Sequence, residues 1–229
     1  MKLYELCGAD GRYFSPYCWR TRMALAHKGF EPTREIIHFC DKDRIAFSGQ
    51  DKVPILVDGD HVVFDSHAIA LYLDETYPDQ PSLFGDAIGS GQAQFFTQWV
   101  NSTVHGPLLH CVIQDIFEHL DDASKDYFVE SRTARMGKPL AEVQAGRDQS
   151  VLKFRKALTP VRLTFNEQPY LAGETPAGPD YILFGAFQWA RVVSPFPILE
   201  ADDPVFAWRE RMLGLFDGLA GKALGYPVI

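Results

Sequence analysis

The chain has 229 residues, enough for one large domain or for two small ones with a core each. Hydrophobic residues at 46% and charged ones at 23% are ordinary for a soluble globular protein. A formal charge of -8 argues against a general phosphate-binding surface, so nucleic acid is not an expected partner, although a local basic pocket would not show in that sum.

"KLYEL" near the start alternates like a short strand. Ser15-Pro16 then opens a helix, because serine is a good N-cap and proline is favoured at the first helical position. "YCWRTRMALAHKG" continues it, with apolar Trp19, Met23, Leu25 and Ala26 and with Gly29 as its stop. "TREIIHF" reads as the next strand and "CDKDRIAFSGQDK" as an irregular polar stretch with room for one helical turn. Two β-rich runs around Asp58-Gly59 in "VPILVDGDHVVF" predict a hairpin. "DSHAIALYLDETYP" predicts a helix ended by Pro78.

One crossover and one hairpin in the order β-α-β, irregular segment, β-β-α make the four-stranded mixed sheet of a thioredoxin-like domain, residues 1–78. "YPDQPSLFGDAIGSG" is rich in Pro and Gly and places a linker at 79–91. From 92 to 229 helical patterns separated by turns predict a larger all-helical domain. The fold class is therefore α/β plus all-α, and no internal repeat is visible.

The start "MKLYELCGADGRYF" has no apolar core of signal-peptide length, and no later run reaches membrane-spanning length. Cys7, Cys18, Cys40 and Cys111 show neither C-x-x-C nor metal-ligand spacing, so four reduced thiols in a cytoplasmic protein are expected. The seven histidines are scattered without an H-x-x-x-H pair, and no metal site is expected.

Three short motifs carry chemistry, and each has a plainer reading. "SPYC", Ser15 to Cys18, resembles the C-P-Y-C dithiol of glutaredoxins with the leading sulfur replaced by an oxygen; alone, Ser15 is an N-cap. Val53-Pro54 opens the hairpin, where proline is tolerated at a strand's first residue; a cis bond there would turn the Val53 N–H and C=O outward to pair with an extended peptide. Asp65-Ser66 opens a helix, where an N-cap suffices as an explanation; equally, a Ser hydroxyl and free N–H groups suit a carboxylate and Asp65 suits an ammonium. In this order the three give a thiol-facing hydroxyl, a backbone clamp and an amino-acid-like site. Glutathione carries those groups in that sequence.

The whole chain resembles a cytosolic glutathione S-transferase, and more narrowly the bacterial β-etherase branch, glutathione-dependent enzymes that cleave lignin-type β-aryl ethers. "SPYCWRTRMALAHKGFE", "KVPILVDGDHVVFDSHAIALYLDETYPDQPSLF", "GPLLHC", "EVQAGR" and "DDPVFAWRERMLGLFDGL" carry the resemblance. It implies that Ser15 contacts the glutathione sulfur, that Lys52, Val53 and Pro54 hold the glutathione backbone, and that Asp65 and Ser66 hold its γ-glutamyl end. It also implies a homodimer. The γ-glutamyl pair usually reads Glu-Ser or Gln-Ser and is one methylene shorter here. The family's Ser/Thr-x-x-Asp capping box appears as Ala177-Gly178-Pro179-Asp180, without its hydroxyl.

Tyr13, Phe14 and Tyr17 around the first motif, with Asn101, His105, Leu108 and His110 on the first long helix, are the pocket candidates for a hydrophobic aromatic electrophile. Asn101 is the candidate for a second hydrogen bond to sulfur or to a departing aryloxide. The four tryptophans read as core, His105 as a surface histidine and His110 as a packed one, and Cys18 as packed rather than reactive. Two other readings stand beside the transferase. One is a zeta-type isomerase, whose Ser-Ser-Cys-x-Trp-Arg motif shares the positions of Ser15, Trp19 and Arg20 but not those of Pro16 and Tyr17. The other is a glutathione-binding protein without turnover.

Overall fold

A computed structural model describes residues 1–227, so the last two residues of the expected helical domain lie outside the described residues. β1 (Lys2–Leu6) pairs in parallel with β2 (Thr33–Ile37) and antiparallel with β3 (Ile55–Asp58). β3 returns on β4 (His61–Phe64), giving the order β2-β1-β3-β4. Gly59 sits in that turn at φ 58°, the positive value a tight hairpin asks for. The predicted thioredoxin-like order is present.

Leu3 and Leu56, partners across β1 and β3, are fully buried with Met23 of α1 (Pro16–His27) and Ile69 and Leu73 of α3 (Ser66–Thr76). On the other face Ile37 and Ile55 pack with Ile45 of the one-turn α2 (Lys42–Ile45). Glu5 is buried between arginines: Arg22 donates to it at 2.5 and 2.8 Å, and Arg34 at 2.6 Å. This ionic clasp ties α1 to β1 and β2.

The helical part begins earlier than the expected linker allows. α4 (Ala87–Trp99) starts inside 79–91 because the Asp86 carboxylate accepts from the Gly89 N–H at 2.9 Å, a capping contact that offsets the two glycines of the first turns. α4 runs through a π-helical segment, Val100–Val104, into α5 (His105–Glu118). α6 (Asp122–Met136), α7 (Leu140–Ala145), α8 (Arg147–Ala157) and α9 (Thr159–Phe165) follow, then α10 (Gly178–Val193) and α11 (Pro204–Gly218). α10 is buried almost throughout and forms the centre of the core. At its start Asp180 makes up for the missing hydroxyl at Ala177. Its carboxylate accepts from the Leu171, Ala172 and Ala177 N–H groups and from Trp208 Nε1, at 2.9 to 3.2 Å.

Gly185 decides how the two parts meet. A Cβ there would fall 2.4 Å from the Pro16 carbonyl oxygen, so only glycine lets α10 lie against the first turn of α1. Arg20 then donates across the boundary to the Ile182 carbonyl at 3.1 Å. The N-terminal turn of α1 is thereby fixed against the helical part.

Candidate functional site

A cavity of about 580 Å³ opens at this boundary, within the size range of small-molecule sites. From the sheet side come Phe14, Ser15, Tyr17, His38, Lys52 and Val53; from the helices come Asn101, His105, Tyr127, Phe128, Arg132 and Trp189. Asp51 is the one carboxylate on the wall among the described residues.

Ser15 serves both of its readings at once. Its side-chain oxygen accepts from the Cys18 N–H at 3.2 Å, which caps α1, and the residue is nearly buried at the cavity wall. Capping uses a lone pair, so the hydroxyl proton stays available to donate into the cavity. No acidic residue occupies the first turn of α1, so nothing offsets the positive end of its dipole beside that hydroxyl. Cys18 lies fully behind, its thiol pushed up to about 12 by burial first and by the Glu5 charge second. It is inert.

Val53-Pro54 is cis. Val53 precedes β3, and its N–H and C=O take part in no loop or turn hydrogen bond among the described residues. Asp65 is exposed at φ 70° and ψ 129°, a conformation that costs a non-glycine residue about 1–3 kcal/mol. Its Oδ1 accepts from the His67 and Ala68 N–H groups at 2.8 and 3.1 Å, which leaves Oδ2 for another partner. Ser66 is buried beside it. Asp65 and Ser66 do not line the cavity; Ser66 borders a small recess on the other side of Arg20.

The π-helical segment matters here. Its wider turn, closed by the His105 N–H on the Val100 carbonyl, brings Asn101, Ser102, His105 and Gly106 onto the cavity together. Arg20, buried in α1, reaches into this group. Its Nη2 lies 3.0 Å from Asn101 Oδ1 and 3.4 Å from His105 Nε2. A guanidinium only donates, so both of those atoms accept. Asn101 is left with its amide N–H groups. His105 must carry its proton on Nδ1, which lies 3.4 Å from the Tyr17 hydroxyl, and donates there. Burial, with the Arg20 charge second, holds His105 down to about 3, so the ring is neutral at any ordinary pH. The Tyr17 hydroxyl, accepting from His105, points its own proton elsewhere.

Three pocket candidates need correction. Tyr13 does not line the cavity: its ring is held between the Arg22 and Arg34 guanidiniums at 4.1 and 4.0 Å, and its carbonyl accepts from Trp19 Nε1. Leu108 is fully buried in the core, because the turn of α5 that carries it faces away from the cavity that His105 and Leu109 face. His110 does not line the cavity either, and His105, read as a surface histidine, is buried. Trp189, read as core, is also a wall residue and meets His105 edge-on at 5.8 Å. Sequence reasoning missed Arg20 as a polar anchor, although an arginine among Trp19, Met23 and Leu25 on a buried helix was the signal. It also missed the whole of α6, whose cavity-facing residues share no short motif.

The matching family models are "Glutathione S-transferase, N-terminal domain" over residues 14–76 and "Glutathione S-transferase, C-terminal domain" over residues 92–202. Among curated proteins, "Glutathione S-transferase-like protein ustS" of Aspergillus flavus is 34% identical over 143 residues, 56% of this chain and 50% of that protein. "Glutathione S-transferase Z1" of Arabidopsis thaliana is 42% identical over 69 residues, 28% of this chain and 31% of that protein. The chain thus matches half or less of the length of these relatives. A solved glutathione S-transferase of Ceriporiopsis subvermispora, in complex with glutathione, superposes with a TM-score of 0.82 over 94% of this chain and 96% of that one. At 20% identity that likeness shows the fold. The chain belongs to the glutathione S-transferase family.

Proposed function

We propose that this chain, as a glutathione S-transferase, uses the sulfur of glutathione to attack an electrophilic carbon of a hydrophobic aromatic substrate and expel an oxygen leaving group, as in cleavage of a β-aryl ether. The observation that carries this reading is Ser15: a capped hydroxyl at the positive end of α1, on the wall of a cavity, with its proton unspent. Glutathione would lie extended along Val53 with Lys52 beside it, its γ-glutamyl end at Asp65 and Ser66. Its thiolate would accept from Ser15. In the chemical step a C–S bond forms and the C–O bond breaks, and the electron pair leaves with the aryloxide. The free N–H groups of Asn101 and the Tyr17 hydroxyl are donors on the same wall, suited to receiving that charge. A homodimer in the cytoplasm is part of the same reading.

The test is a β-aryl ether whose leaving group is a fluorescent phenol, incubated with the protein and glutathione. Equal amounts of phenol and glutathione thioether are expected. Phenol released without thioether would overturn the proposed attack.

The second reading, a zeta-type isomerase, is favoured by Ser15, Trp19 and Arg20 at that motif's positions and by the stretch shared with the Arabidopsis protein. There the sulfur adds to a double bond and leaves again, so glutathione is regenerated. Measured consumption of glutathione per turnover separates the two.

A further inference from the structure

Transfer to a neutral aromatic leaves one part of the cavity without a purpose. α6 presents Tyr127, Phe128, Arg132 and Arg135 to it. The Arg132 guanidinium lies over the Phe128 ring at 4.8 Å and the Phe39 ring at 5.3 Å, and Nη1 donates to the Ser131 hydroxyl at 3.0 Å. Among the described residues neither Arg132 nor Arg135 forms an ion pair. Burial, together with the neighbouring Arg135 charge, lowers the Arg132 pKa, so the cation is held where it is disfavoured. Lys42 and Lys52 add two more cations to the wall, against the single carboxylate of Asp51, in a chain whose net charge is -8.

Lys52 lies at the Val53 end, where the glutathione backbone would run, and Lys42 bridges that end and α6: it donates to the Asp51 carbonyl and lies 5.7 Å from the centre of the Tyr127 ring. Arg132 and Arg135 sit on the helical wall opposite. Two guanidiniums without a counter-ion repel each other, and the half-buried Arg132 has lost part of its hydration as well. An oxyanion between them removes both costs, and the planar fork of arginine fits a carboxylate bidentately. A neutral ligand would leave both costs in place, so the arrangement selects against it.

We propose that the aromatic electrophile carries an anionic group of its own, a carboxylate or equivalent oxyanion, bound by Arg132 and Arg135 while Phe39, Tyr127 and Phe128 flank its ring. This rests on the transferase reading for the reaction but not for the binding. The same chemistry has a second source, the glycyl carboxylate of glutathione, and the experiment separates them.

Two electrophiles of the same shape, 4-chloro-3,5-dinitrobenzoate and its carboxamide, are compared by kcat/KM with glutathione, each divided by its uncatalysed second-order rate with glutathione, in wild type, Arg132→Met and Arg135→Met. The wild type is expected to favour the carboxylate on the order of tenfold, the scale of one charge-assisted hydrogen bond. Arg132→Met should bring the ratio close to one, and Arg135→Met, at an exposed position that tolerates substitution, should lower it in the same direction. In parallel, the unreactive 3,5-dinitrobenzoate and 3,5-dinitrobenzamide are titrated by Trp fluorescence at saturating glutathione. Arg132-dependent preference for the benzoate without turnover of either electrophile would end the transferase reading and keep this one. An unchanged carboxylate-to-carboxamide ratio in both variants overturns it. So does a rise in glutathione Kd in Arg132→Met with the ratio intact, which would assign the pair to the glycyl carboxylate.

Discussion

Ser15→Ala tests whether the hydroxyl at the start of α1 acts on sulfur or only caps a helix. The free thiol of glutathione, with an ordinary pKa of about 8.5, is only a few per cent ionised at neutral pH. One charge-assisted hydrogen bond of about 1.5–3 kcal/mol lowers that pKa by about one to two units. Ionisation then rises on the order of 25-fold at most, and with a Brønsted slope of about 0.4–0.5 the lost nucleophilicity returns roughly eightfold of it. The net gain is a few-fold. The rest of the rate belongs to holding sulfur and electrophile together, worth about 7–11 kcal/mol. Since the Ser15 oxygen also accepts from Cys18, the alanine variant loses the cap as well, at a cost of about 1 kcal/mol and about 2–4 °C in Tm. A depressed thiol pKa helps only below the free value. The Ser15→Ala deficit in kcat/KM should therefore be a few-fold near pH 7 and reverse as pH rises past about 9, where both thiols are ionised and the variant's more basic thiolate is the better nucleophile by up to roughly eightfold. The assay is the pH profile of kcat/KM, with thiolate absorbance of the glutathione complex alongside. Profiles that superimpose while Tm falls would leave Ser15 as a cap and nothing more.

Ser15→Cys should accumulate a mixed disulfide with glutathione rather than an internal disulfide, because burial pushes the Cys18 thiol up to about 12 and leaves it a poor attacker; mass spectrometry of the oxidised variant reads this directly. Asp65→Asn keeps the oxygen that caps α3 and removes the charge, so Tm should hold while glutathione KM rises roughly tenfold with kcat kept; an unchanged KM would remove Asp65 from the γ-glutamyl site. His105 has a folded pKa of about 3 against an unfolded 6.5, so its neutral form contributes stability that is fully present above pH 6.5 and is lost as pH falls toward 3. His105→Gln should accordingly narrow its stability gap to wild type on acidification across that window, by at most about 1.4 kcal/mol per pH unit, followed by urea unfolding.

The sheet and α1 were legible because local signals agreed with tertiary demand: serine and proline where α1 begins, Asp58-Gly59 where β3 turns into β4. The start of α4 was not, since Gly89 and Gly91 read as linker and only the Asp86 contact, which needs the folded backbone, outweighs them. Of the site, Ser15, Val53 and Asp65 announce themselves through turn and cap chemistry. Asn101 and His105 reach the cavity through a π-helical turn that no 3.6-residue pattern foretells. Leu108 was misplaced for the same reason. The α6 wall was illegible outright: its aromatic and basic residues form a site only after the helix is laid across the loop at Phe39, and to sequence they read as an ordinary amphipathic face.

A pH profile is informative only if the group it reports is known, and the wall holds three candidates: the glutathione thiol, His105 and His38. His105 drops out, since its pKa lies at about 3 and its Nε2 is occupied by Arg20. His38 differs. Its Nδ1 lies 2.9 Å from the Cys7 carbonyl, which only accepts, so Nδ1 carries the proton; the Asp121 carboxylate, 3.5 Å from the same nitrogen, supports it. In the neutral ring Nε2 then keeps a lone pair, and among the described residues no partner takes it. Among the described residues, that nitrogen in the neutral ring is the one unused histidine acceptor on the wall. His38→Gln separates the remaining sources. If the inflection in kcat/KM belongs to the thiol, the variant keeps it, and Ser15→Ala moves it upward. If His38 takes the thiol proton, His38→Gln removes the inflection and Ser15→Ala leaves it in place. A Ser15 hydroxyl that ionises the sulfur by donating to it requires the first pattern, and the second would transfer ionisation of the sulfur from a hydrogen-bond donor to a base.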